Sequence, residues 1–224
     1  MAAASRDSSD RMCAIFWPGV GMKQVLGAVI LLGALCGGLS ASEPATYWLL
    51  ETDRGEILIE LERERAPKTT KAIVQQVRGE HYSGTVFHRV IAGFVIQAGG
   101  YDRDLEERPV AQRVVNESGN GLRNERGTIG LARGADPHSG GAQFYINLED
   151  NEQLDPRPER WGYAVFGRVR YGMEVVAEIA AIPTQARGDL DADVPEETIA
   201  ITDSHLMGSS DGEAWLSERT EQEK

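Results

Sequence analysis

Apolar positions in this chain come in short runs broken by glycine and charge. Residues 47–52 (YWLLET) and 55–62 (GEILIELE) flank Asp53-Arg54, the pattern of two strands joined as a hairpin. Ala66-Pro67 opens a helix, since proline is tolerated in the first turn, and Ala72, Ile73 and Val77 give that helix one apolar face. Residues 87–90 and 94–98 read as short strands, and residues 100–126, full of charge and glycine, as a long loop. Further strands are expected at 128–133, 143–148 and 164–168. Gly172 opens a second helix with Val175, Val176 and Ile179 on one side, and residues 198–206 alternate as a last strand. From Gly208 the chain is polar and charged, and the pattern predicts a flexible acidic tail over 208–224. Many short strands with two helices point to a closed barrel or sandwich, and the lack of strand–helix alternation argues against a doubly wound sheet.

The run 87–100, FHRVIAGFVIQAGG, carries the strongest chemical signal. Arg89, Val95 and Gln97 share odd parity, but the turn at Ala92-Gly93 resets the register between the two short strands, so one strand can offer a cation and the next an apolar ring and an amide to the same patch of surface. A fixed cation beside an apolar pocket, with no nucleophile, suits a reaction that transfers no proton.

Composition narrows the setting. The 224 residues hold enough apolar side chains for one domain with a sizeable core, and the formal net charge of -12 disfavours nucleic acid and anionic lipid as partners. Cys13 and Cys36 both precede the folded part, leaving it neither a disulfide nor thiolate chemistry. His81, His88, His138 and His205 form no helical ligand pair, so neither a metal nor a cofactor is expected. Residues 1–42 hold Lys23, the apolar stretch VLGAVILLGAL and the small-residue segment CGGLSAS. That order is a signal peptide cleaved after Ala41 or Ser42, or an uncleaved anchor. Either makes the domain at 47–207 an exported one, released or held at the membrane.

Four blocks in order, FHRVIAGFVIQAGG, NESGNGLRNERGTIGLAR, SGGAQFYINLEDNEQLD and WGYAVFGRV-x-YGMEVV, resemble the cyclophilin-type peptidyl-prolyl cis-trans isomerases, and the last is most similar to the bacterial branch. The resemblance covers residues 47–207. It implies a closed eight-stranded antiparallel β-barrel, filled by side chains and capped by two helices, with the site on its outer face. Position by position it makes Arg89 the catalytic arginine, Phe94 the floor of a proline pocket, Val95 its wall and Gln97 a backbone-binding amide. Ala132 and Arg133 fall where a strand pairs with substrate. Gln143 is the second glutamine, Tyr145 the pocket's second aromatic with its hydroxyl at the rim, and Leu154 an apolar wall. Tyr163 stands where many eukaryotic members have histidine. Gln153 stands where they have tryptophan, which implies weak binding of cyclosporin-type ligands. His88 is expected to be structural.

The implied partners are proline-containing polypeptides, met by a monomer that touches membrane only through an uncleaved leader. The implied activity is rotation about X-Pro bonds during folding of exported proteins. The rival is a barrel of the same fold that holds proline segments, or acts as a chaperone, with little turnover.

Overall fold

The computed structural model describes residues 46–222, so the leader at 1–42 lies outside the described residues. Strands β1 (Tyr47–Thr52) and β2 (Gly55–Leu61) form the expected hairpin, and α1 (Pro67–Arg78) follows with Pro67 in its first turn. Then come β3 (Arg89–Ile91), β4 (Val95–Ala98), β5 (Thr128–Leu131), β6 (Phe144–Asn147), a 3₁₀ turn at Glu152–Leu154, β7 (Val165–Tyr171) and α2 (Met173–Ala180). β8 (Thr184–Arg187), β9 (Leu190–Pro195), β10 (Ile201–Met207) and α3 (Ser209–Gln222) complete the described chain.

Eight strands form one antiparallel sheet in the order β10-β1-β2-β7-β5-β6-β4-β3. Its inner face packs Trp48, Leu50, Ile57, Ile59, Val90, Ile96, Phe144, Ile146 and Phe166 into one core, which Ile73 of α1 and Val176 and Ile179 of α2 join. Trp48, Tyr82 and Phe144 meet at ring separations of 4.8–5.7 Å, the spacing of tilted and edge-on aromatic pairs.

Three expectations need correction. The barrel is not strictly closed. The paired ladder ends at β3 and β10, and the gap is spanned by backbone bonds between the segments 84–87 and 199–201, such as Phe87 N–H to the Ile199 carbonyl at 2.9 Å and Ile201 N–H to Thr85 at 2.8 Å. Three-residue β3 is too short to carry a full second ladder.

The second correction is a hairpin, β8–β9, turned at Gly188-Asp189 between the paired residues Arg187 and Leu190. Its first strand is exposed throughout, so it shows no apolar alternation.

The third is the tail. Residues 209–222 form α3, held by packing. Gly212 lies so near the Tyr47 ring that a Cβ there would sit 2.1 Å from it. Trp215 meets Tyr171 edge-on at 5.3 Å, Arg219 pairs with Glu56 at 2.7 Å, and Tyr47 donates its hydroxyl to Glu213. α3 thereby covers Tyr47, Leu49 and Leu58, which face away from the main core. That is why β1 reads as a continuous apolar run: both of its faces are buried.

Candidate active site

The β3–β4 hairpin turns at Ala92-Gly93, where Gly93 takes a left-handed φ of 69° and the Phe94 N–H bonds to the Ile91 carbonyl at 3.0 Å. This turn sets Arg89 opposite Gln97 and Val90 opposite Ile96. Val90 and Ile96 therefore enter the core, while Arg89 and Gln97 share the outer face. The next strands continue the row, with Gln97 opposite Tyr145 and Tyr145 opposite Gly130. Four strands thus bring a cation, an amide, an aromatic ring and a glycine into one line.

The polar half of the row is connected. Gln97 Nε2 donates to Gln143 Oε1 at 2.9 Å, and Arg89 Nη1 reaches Gln97 Oε1 at 3.5 Å. Gln143 can lie there because position 100 is glycine: a Cβ on Gly100 would stand 2.3 Å from the Gln143 amide. All three side chains are half-buried, accessible to a ligand yet partly shielded from bulk water.

Gly130 leaves room for the Tyr145 ring, which is only 4% exposed. A Cβ at Gly130 would lie 2.2 Å from its hydroxyl oxygen. That hydroxyl is not at the rim. It points inward and donates to Asn124 Oδ1 at 2.6 Å. Burial pushes the phenol's pKa well up, so the group stays a donor.

Behind it runs a chain of buried amides. Asn147 Nδ2 donates to Asn124 Oδ1 at 3.3 Å and to Thr128 Oγ1 at 2.9 Å. Asn151 Nδ2 donates to Asn147 Oδ1 at 2.8 Å and to the Phe94 carbonyl at 2.9 Å. Asn124 donates from both its backbone N–H and Nδ2 to Asp155 Oδ1, at 2.8 and 2.9 Å. One network therefore ties the backbone of Phe94, the ring of Tyr145 and the turn that carries Gln153 and Leu154.

Phe94 and Leu154 are half-buried, whereas Val95 is buried at 2% exposure opposite Asn147. Tyr163 meets Tyr145 edge-on at 6.0 Å, and its N–H bonds to the Leu154 carbonyl at 2.9 Å. Ala132 continues β5 by donating to the Gln143 carbonyl at 2.9 Å. The Arg133 guanidinium is engaged with the protein. It lies 4.4 Å above the Tyr163 ring and donates to the carbonyls of Trp161 and Gly134, each at 2.9 Å. Gln153 is exposed and donates to Asn151 Oδ1 at 3.0 Å. An open groove of about 500 Å³ runs from Gln97 and Gln143 past Ala132 toward Arg113 and Ser139.

His88 faces inward, 4.5 Å from the Tyr101 ring. Its Nδ1 has no hydrogen-bond partner among the described residues. Burial lowers its pKa to about 4, so the ring is neutral near pH 7.

Sequence reasoning missed Asn124, Asn147 and Asn151, which look like ordinary loop and strand polars, and Asp193. The Asp193 carboxylate lies 3.6 Å from Arg89 Nε.

Residues 47–206 match the family described as cyclophilin type peptidyl-prolyl cis-trans isomerase/CLD. A peptidyl-prolyl cis-trans isomerase of Streptomyces antibioticus is 44% identical over 163 residues, 71% of this chain and 97% of that protein. Peptidyl-prolyl cis-trans isomerase A of Dickeya dadantii is 39% identical over 83% of this chain and 98% of its own length. Isomerase B of Escherichia coli is 41% identical over 67% of this chain and 93% of its own. In fold, the chain is similar to a cyclophilin-type isomerase of Cryptosporidium parvum solved in the presence of the dipeptide Ala-Pro. The TM-score is 0.59 at 23% identity, covering 73% of this chain and 99% of that one. With the family match spanning nearly all the described residues and the curated bacterial relatives covered almost end to end, the chain belongs to the cyclophilin-type peptidyl-prolyl cis-trans isomerases, enzymes that speed rotation about X-Pro peptide bonds.

Proposed function

We propose that Arg89 carries the rotation, with Phe94, Tyr145 and Leu154 holding the proline ring and Gln97 and Gln143 holding the substrate backbone. An X-Pro amide resists rotation by roughly 18–20 kcal/mol because its nitrogen shares a lone pair with the carbonyl. Twisting the bond localises that pair on nitrogen. A guanidinium fixed beside the ring donates to it and stabilises the twisted state more than the planar one, and it stays charged at any working pH. The observation that carries this reading is the connected row of Arg89, Gln97 and Gln143 beside the buried ring of Tyr145. No proton moves, so no general base is needed.

Removing Arg89 tests it. A hydrogen bond from a charged donor contributes about 1.5–3 kcal/mol, so Arg89→Ala should lower kcat/KM on an X-Pro peptide by about 10- to 100-fold. An NMR exchange assay in which the variant matches wild type would refute the assignment.

The proposed setting is outside the inner membrane, where the enzyme, as a monomer, would assist folding of exported proteins by acting on their proline-containing segments. The charged, apolar and small-residue order of residues 22–42 supports this reading. N-terminal sequencing of the protein recovered from cells tests it: a start at Ser42 or Glu43 supports export, and an intact leader on soluble cytoplasmic protein refutes it.

A further inference from the structure

Hairpin β8–β9 leaves the body of the sheet between α2 and β10 and lays β9 against β3, the strand that bears Arg89. Val194 and Pro195 are buried there and anchor the hairpin, with Gln185 paired to Val194. The residue just before this anchor, Asp193, takes a left-handed φ of 65°. Only glycine adopts that conformation freely, although Asp and Asn tolerate it better than other side chains.

What this conformation secures is a contact with the site. Asp193 Oδ2 lies 3.6 Å from Arg89 Nε, on a different edge of the guanidinium from Nη1, which reaches Gln97 Oε1 at 3.5 Å. Gln97 is itself fixed by Gln143 at 2.9 Å. A guanidinium is a rigid plane carrying five N–H groups. A carboxylate in ion-pair range of Nε and an amide oxygen at the edge of hydrogen-bond reach from Nη1 together restrict the orientation of that plane. Nη2 donates no hydrogen bond among the described residues.

Stability does not account for the arrangement. The two side chains are 38% and 36% exposed, and exposed ion pairs at this separation contribute little to folding. A left-handed non-glycine residue costs at least as much as such a pair returns. A strained residue that returns nothing to stability, aimed at the side chain assigned to catalysis, is a reason to look for function.

We propose that Asp193 is a positioning residue for Arg89: its carboxylate holds the guanidinium plane in the orientation that presents Nη2 to the proline nitrogen. This rests on the assignment of Arg89 as the catalytic group. Asp193 touches Arg89 rather than substrate, so its loss acts on turnover and leaves binding in place.

The test uses Asp193→Gly, Asp193→Asn, Arg89→Ala and the double variant Asp193→Gly/Arg89→Ala, with kcat and KM measured on a neutral X-Pro peptide and melting followed in parallel. Glycine suits the left-handed backbone, so Asp193→Gly should melt no lower than wild type. It should still lose about fivefold to tenfold in kcat, with KM within about twofold, because misorienting a reacting group costs rate. Asparagine keeps both the backbone and an oxygen acceptor at the same place, so Asp193→Asn should retain at least half the wild-type kcat. In the Arg89→Ala background, Asp193→Gly should cost nothing more.

A wild-type kcat in Asp193→Gly, or an equal loss with and without Arg89, would overturn the positioning role. The two readings fail separately. If Arg89→Ala is slow and Asp193→Gly is fast, only the role of Asp193 falls. If Arg89→Ala is as fast as wild type, the catalytic assignment falls and takes this one with it.

Discussion

Gly130→Ala is a small change that should damage the proposed proline pocket without replacing any residue assigned to substrate. The new Cβ would lie 2.2 Å from Tyr145 Oη and 2.3 Å from Cζ, against an ordinary contact of at least 3.4 Å. The ring must therefore shift by about 1 Å. It cannot do so and keep its bond to Asn124 Oδ1 at 2.6 Å, so it swings away from β5 and toward the face that carries Arg89 and Gln97. Breaking a buried hydrogen bond costs about 1–3 kcal/mol, and overpacking costs about 1–3 kcal/mol. Taking partial relaxation into account, the folded state should lose about 2–4 kcal/mol, a fall in Tm of about 5–15 °C for a domain of this size. A displacement of that order in a reaction site lowers rate steeply, so kcat/KM should fall at least about tenfold below the new melting point. Adding Tyr145→Phe frees the ring of its tether, lets it slide off the methyl and should recover part of both losses. Calorimetry with an exchange assay on the single and double variants measures this. A Gly130→Ala protein with unchanged Tm and unchanged kcat/KM would show that the ring is not fixed between Gly130 and Asn124.

Two further outcomes follow from the rest of the molecule. Gly212→Leu should lift α3 from Tyr47, where a Cβ would already sit at 2.1 Å, and expose Leu49 and Leu58. Denaturant midpoints should report a loss of about 2–4 kcal/mol while activity below the transition is retained, because α3 packs on β1, β2 and β7 and the site on β3, β4, β5 and β6. A lost activity at full folding would refute this separation. His88, lowered by burial to about 4, binds a proton in the unfolded chain before it does so in the fold. Its contribution is thus intact above about pH 6.5 and is lost as pH falls toward 4, by up to about 3 kcal/mol. Denaturant midpoints of wild type and His88→Leu should diverge in slope across that window, and parallel slopes would sink the reading.

The residues that were legible and those that were not differ in one physical respect. Arg89 and Gln97 could be brought to one patch because two short strands joined by a glycine turn each alternate faces, while the register across that turn came only with the pairing of Arg89 and Gln97. Helices α1 and α2 were legible because each buries one face, which leaves a 3.6-residue period. α3 escaped because its apolar residues, Ala214, Trp215 and Leu216, are adjacent and show no period, yet its docking site was written into the unbroken YWLL of β1, a strand with no solvent face. β8–β9 escaped because β8 is exposed, although Gly188-Asp189 is a recognised two-residue hairpin turn. The polar network is a different case. A tyrosine rather than a phenylalanine at position 145 adds a hydroxyl to a buried position, and a buried donor must find an acceptor. The sequence states that demand without saying what meets it. Asn124 lies 21 residues upstream of Tyr145, in a loop whose path depends on Asp155, and no local pattern links the three. Sheet order supplies the link. β6 lies between β5 and β4, so the strand bearing Tyr145 runs beside Gly130 and within reach of the loop that leads into β5. Substituting Asn124 should therefore cost more in this chain than where the ring carries no hydroxyl, because here the same amide oxygen serves both Tyr145 and Asn147.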